Sequence, residues 1–120
     1  MSGEPARGRT VAAHFAKRPP EVRALYDRVL TAARKWGEVV ESPNQGSIHL
    51  VRETVFAGAR PQRDGLLLSF KSTTDLDSPR IVKRERPSAN RWYLYVKLAT
   101  PKDLDREVLG WLATSWEMSG

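Results

Sequence analysis

Cysteine is absent from this sequence. That excludes disulfides, thiolate metal ligands and a cysteine nucleophile, and it fits a cytoplasmic protein. Histidine is scarce: His14 and His49 are the only two. Neither has an Asp, Glu or second His at a spacing that suits a metal site or a general base, so no metal and no cofactor are expected. No apolar run approaches the length of a membrane-spanning helix. The arginines of MSGEPARGRT are not followed by an apolar stretch, so neither a secretory signal nor a membrane partner is expected. A nucleophile elbow of the G-x-S-x-G type is missing, and the glycines of FAGARPQRDG lack phosphate-loop spacing. No catalytic residue is assigned, and the chain reads as a binding domain before it reads as an enzyme.

What is present is basic charge. At 120 residues, with 40% hydrophobic and 28% charged side chains, the chain is long enough for one core but not two. Arginine outnumbers lysine 14 to 6 and the net charge is +6. Such a balance either attracts an anionic partner or is a background of solvated arginines. The charges are scattered along the chain, with RIVKRERP the only dense cluster.

Residues 1–9 are small and polar and read as a disordered tail, with residues 10–120 a single domain. Thr10 caps a short helix to Lys17, which Pro19 stops. From Pro20 to Trp36, apolar residues recur at three- and four-residue steps (Val22, Leu25, Tyr26, Val29, Leu30, Ala33, Trp36). That spacing predicts an amphipathic helix, with Gly37 at its C-terminal cap. Short β-prone runs follow: EVVES, SIHLVR, TVFAGA, LLLSF and RIVKRER. PNQG, RPQRDG and KSTTDLDSP read as the turns and loops between them. PSAN turns into RWYLYVKL, after which Thr100 or Asp103 caps a helix with Leu104, Val108, Trp111, Leu112 and Ser115 on its inner stripe. The order predicts an α+β fold, an antiparallel meander of about five or six strands packed against N- and C-terminal helices.

Two constellations stand out. In NRWYLYVKL, strand alternation sends Trp92, Leu94, Val96 and Leu98 to the core face, and Arg91, Tyr93, Tyr95 and Lys97 to the other. Two phenols bracketed by two cations resemble a stacking-and-charge platform for single-stranded nucleic acid. Tyrosine is equally a favoured residue on any half-exposed sheet face. In PRIVKRERP, alternation groups Arg80, Val82, Arg84 and Arg86, whose guanidinium forks suit bidentate phosphate contact. The same charge also protects an edge strand from aggregation.

The blocks HFAKRPPEVRALYDRVL, TVFAGARPQRDGLLLSF and DSPRIVKRERPSANRWYLYVKLATPKDLDREVLGWL resemble a small bacterial family of unknown function. The likeness spans about residues 14–118 and is carried by His14, Phe15, Phe56, Asp77, Pro79, Arg80, Pro101, Asp103, Leu104, Asp105, Trp111 and Leu112. It is similar in turn to the YdhG-like domains, which implies a compact α+β fold. Some YdhG-like proteins are linked to iron delivery, a role that needs a carboxylate-rich surface. This chain is basic, with its 14 acids interleaved with arginine, and no iron is assigned. The closing strand of that family often carries His among its aromatics, where this chain has Trp92-Tyr93-Leu94-Tyr95.

The leading expectation is a cytoplasmic binding domain that engages an anionic partner, nucleic acid first, through Arg80, Arg84, Arg86, Arg91, Tyr93, Tyr95 and Lys97. The alternatives are a small-molecule domain or weak enzyme with a pocket between helix and sheet, using His14 or His49, and a protein-interaction or self-association module.

Overall fold

The computed structural model describes residues 10–120; the tail expected at residues 1–9 lies outside them. Helix α1 (Val11–Phe15) begins where the Thr10 hydroxyl accepts the Ala13 N–H at 3.0 Å. Helix α2 (Pro20–Arg34) opens on a proline, which lacks the N–H that the first turn cannot satisfy, and it buries Val22, Leu25, Tyr26, Val29, Leu30 and Ala33. It stops before Trp36, with Lys35 as C-cap. Gly37 then takes φ +156°, and a Cβ there would meet the Trp116 ring at 2.6 Å.

The six strands are β1 (Val40–Pro43), β2 (Ile48–Val51), β3 (Val55–Gln62), β4 (Gly65–Ser72), β5 (Ile81–Ser88) and β6 (Arg91–Leu98). Every pairing is antiparallel, in the order β1-β2-β3-β4-β6-β5. The fold is therefore α+β as expected, but the meander fails at its last step. Strand β6 returns between β4 and β5, because its Leu94, Val96 and Leu98 need a central place while the charged β5 tolerates an edge. RPQRDG is not a loop either. β3 runs on to Gln62, Arg63 and Asp64 alone make the turn, and a Cβ on Gly65 would collide with the Leu98 carbonyl.

One face of this sheet carries the core. Ile48 and Leu50, Ala57 and Ala59, Leu66, Leu68 and Phe70, and Leu94, Val96 and Leu98 share it by register and are all buried. Helix α2 and the last helix, α3 (Arg106–Glu117), both pack on β3 and β4, and the Trp111 ring stacks on Phe70 at 5.6 Å. Trp92 is half-buried at the margin of this core.

Neither expected residue caps α3. Pro101–Asp103 is a single 3₁₀ turn in which the Asp103 carboxylate accepts the Ala99 and Thr100 N–H groups at 2.7 and 3.0 Å. Leu104 (φ −88°, ψ 72°) interrupts it, and Asp105 caps the helix proper by accepting the Val108 N–H at 3.1 Å. Arg80 clamps this start: its guanidinium donates to Asp105 at 2.9 Å, Glu107 at 3.1 Å and the Asp103 carbonyl at 2.7 Å.

The far end of α3 enters the sheet. The Ala57↔Phe70 pair is the last in the β3–β4 register, and the next pair, Phe56 with Lys71, is bridged by a side chain. The Lys71 N–H donates to Ser115 Oγ at 2.9 Å, and Ser115 Oγ donates to the Phe56 carbonyl at 2.5 Å. Ser115 is fully buried, so each backbone group has no water to turn to. Ser115→Ala is expected to lower stability by about 1–3 kcal/mol, the penalty for buried polar groups left unpaired. Denaturant unfolding measures it; a loss under roughly 0.5 kcal/mol, as for a neutral surface change, would mean that the ladder closes directly.

Candidate functional site

The sheet face turned away from the helices is not flat. His49, Gly58, Ser69 and Tyr95 stand in one cross-strand row, with Lys71 opposite Tyr93 beside it. Together with Phe56 and Glu85 they line a hollow of about 370 Å³, within the range of small-ligand sites. Phe56, 1% exposed, is an apolar wall on a face that otherwise meets solvent. Gly58 keeps the hollow open, since a Cβ there would meet Ser69 Oγ at 2.7 Å.

Lys71 is the unusual member. It is 7% exposed, and its ammonium donates to Thr54 Oγ1 at 3.0 Å. Among the described residues it makes no ion pair with a carboxylate. Burial, and then the Arg91 guanidinium nearby, hold its amine below the ordinary value of 10.5. An ammonium offers three donors, and one neutral hydroxyl satisfies only one of them. Arg91 repeats the theme, with a buried Nε that has no partner among the described residues.

Tyr95 and Glu85 form a polar rim. The phenol donates to the carboxylate at 2.6 Å. Burial, and then that acceptor, push the phenol up to about 12, while the same hydrogen bond, donated by Tyr95, holds Glu85 below the usual carboxylate range. Lys83 pairs with Glu85 at 3.5 Å and lies 5.0 Å from the Tyr95 ring centre. Tyr93 is 37% exposed.

The residues singled out from sequence are divided by this geometry. Tyr93, Tyr95 and His49 line the hollow, and Arg91 stands close enough to act on Lys71. Lys97 shares the face but donates to Asp64 at 2.8 Å. Arg80 is spent on α3. Arg84, opposite Leu94, donates to Asp75 at 2.7 Å, and Arg86 lies over Trp92 at 5.1 Å. A register shift between Ile81 and Lys83 also overturns the simple alternation of β5, since Ile81 is buried opposite Val96 while Lys83 stands beside Tyr95 on the outer face. The arginine row and the tyrosine face are therefore on opposite sides of the sheet. His14 is elsewhere, its Nε2 donating to the Asn44 carbonyl at 2.7 Å, beside an open cleft with Arg18, Arg60 and Arg63. Among the described residues, no three His, Asp or Glu side chains gather as a metal site, and no helix is long and apolar enough to cross a membrane.

A model for a Domain of unknown function (DUF5655) matches residues 11–119. The chain belongs to that family. No curated protein and no solved structure matches it, so the chemistry of this DUF5655 domain rests on its own residues. The residues that sequence reasoning missed are Lys71, Phe56, Ser69 and Gly58. The sequence pattern puts Lys71 in the loop after LLLSF; β4 instead continues through Ser72, which puts the lysine on the face of Tyr93.

Burial makes the folded protein hold the Lys71 proton less tightly than the unfolded chain does, so between the folded value and 10.5 the unfolded chain binds more protons. The penalty of the buried ammonium is therefore present in full at neutral pH and is lost as pH rises through 10.5. Lys71→Met should accordingly stabilise the domain at neutral pH by on the order of 1 kcal/mol or more. Thermal unfolding of both proteins from neutral pH to above 10.5 should show the gap closing at the alkaline end; a constant gap would contradict an uncompensated cation.

Proposed function

We propose that this DUF5655 chain is a binding domain for a small anionic molecule, held in the outer-face hollow. One observation carries the reading: Lys71 is a buried cation facing a ligand-sized space, with no carboxylate paired to it among the described residues. Burying an unpaired ammonium is unfavourable. An anion in the hollow supplies the missing acceptor, and charge-assisted hydrogen bonds of this kind are the strong ones. Ser69 and His49 offer further hydrogen-bonding groups, and the rings of Phe56, Tyr93 and Tyr95 supply the apolar walls typical of small-molecule sites.

The expectation of an anionic partner on the sheet face is kept, at a different residue. A nucleic-acid platform would draw on the arginine row and the tyrosine face together, and strand geometry sets them on opposite sides. The pocket of the alternative reading is kept as well, on the far side of the sheet rather than between helix and sheet.

Amide NMR titrations with L-lactate and with inorganic phosphate test the proposal. The shifts expected centre on Gly58, Ser69, Lys71, Tyr93 and Tyr95. Lys71→Met should weaken binding about tenfold or more, as loss of a charged hydrogen bond implies, while Arg84→Ala and Arg86→Ala leave it unchanged. Spectra that neither anion alters, or shifts centred on the arginine row, would contradict it. Oligonucleotide binding with a steep salt dependence, mapped to the whole face, would favour the nucleic-acid partner instead.

A further inference from the structure

We infer that Lys71 is a carbonyl-capturing amine, and that the ligand class of the hollow is a small anionic aldehyde or ketone that condenses with Lys71 Nζ to an imine. This inference rests on the anion-binding reading above and adds a covalent step to it.

Four features of the hollow bear on that chemistry. The amine is fixed rather than floppy: Thr54 holds its tip at 3.0 Å, and Ser115 holds its backbone N–H at 2.9 Å. The charge that acts on it is the cation Arg91, while the carboxylate on the rim, Glu85, is taken up by Tyr95 and Lys83, and desolvation beside a second cation is one recognised way to free a lysine lone pair. The space is walled by Phe56 and the tyrosines, so the amine meets a carbonyl beside apolar surface. Finally, His49, Ser69 and Tyr93 bring groups that both donate and accept protons to the same wall. The other lysines differ: Lys17, Lys35, Lys83 and Lys102 are exposed, and Lys97 is paired with Asp64.

The step balances without an oxidant or reductant. The Nζ lone pair attacks the carbonyl carbon, the C–N bond forms, and the π pair moves to oxygen, which takes a proton from the wall. Nitrogen gives up a proton to the wall, and the carbinolamine hydroxyl, protonated in turn, departs as water as C=N forms. From the ammonium, the net change is ammonium plus carbonyl to iminium plus water.

Pyruvate with sodium cyanoborohydride tests the inference, the borohydride supplying the hydride that converts the iminium to a stable secondary amine. Peptide mass spectrometry should place the adduct on Lys71 and leave every other lysine largely unmodified. L-lactate, which has the carboxylate but no carbonyl, should suppress that labelling. Lys71→Arg, with its fold checked by amide NMR, should lose the adduct. Labelling spread evenly over the lysines, or absent from Lys71, overturns the inference. If lactate still shifts the amides of the hollow in that event, only the imine step falls; if lactate shifts nothing, the anion site falls with it.

Discussion

The last turn of α3 holds the Lys71 backbone directly, and the residue just beyond the helix holds the lysine tip through Thr54. Ser115 stands between the strands where a backbone hydrogen bond would close β3 onto β4. Four residues on, the Ser119 carbonyl accepts the N–H groups of Glu53 and Thr54 at 3.1 and 3.0 Å. That fixes the turn carrying the Thr54 hydroxyl, which in turn holds the lysine tip. A helix on one side of the sheet thus sets the position of a side chain on the other. The helix is itself located by contacts that can be named. Arg80 and Asp105 fix its start, Trp111 on Phe70 fixes its middle, and Trp116 lies against Gly37 and under Arg52 near its end.

Three of the cations singled out from the sequence serve the fold. Arg80 serves the start of α3, Arg84 ties β5 to the preceding loop through Asp75 and the Leu76 carbonyl, and Lys97 closes onto the β3–β4 turn. These are half-exposed pairs, each contributing modestly, but they take the cations out of reach of a ligand. Lys71 is the reverse case. It is desolvated and, among the described residues, without a carboxylate partner. A local arrangement that opposes stability while facing a ligand-sized space is the usual signature of a site rather than of a scaffold.

Much of the fold was legible because apolar periodicity is a local signal. The α2 stripe, the core face of β6 and the charged edge strand all follow from spacing alone, and even Ser115 falls on the predicted inner stripe of α3. The order β4-β6-β5 was not legible, because it depends on which strand has the apolar face to occupy the centre. The site was half legible. Tyr93, Tyr95 and His49 lie on alternation-defined faces and do come together. Lys71 was hidden because β4 runs two residues past its apolar stretch, and the hollow exists only through cross-strand neighbours and a helix-borne hydroxyl far away in sequence. The arginine row misled for a related reason: a register shift at Val82 re-aims the strand, and nearby carboxylates claim its guanidinium groups.

Lys71 is a buried cation held without a carboxylate partner among the described residues, and its own titration reports this. Followed through its Cε and Hε NMR signals against pH, it should lose its proton below 10.5. Loss of that proton only at or above 10.5 would rule out an uncompensated cation.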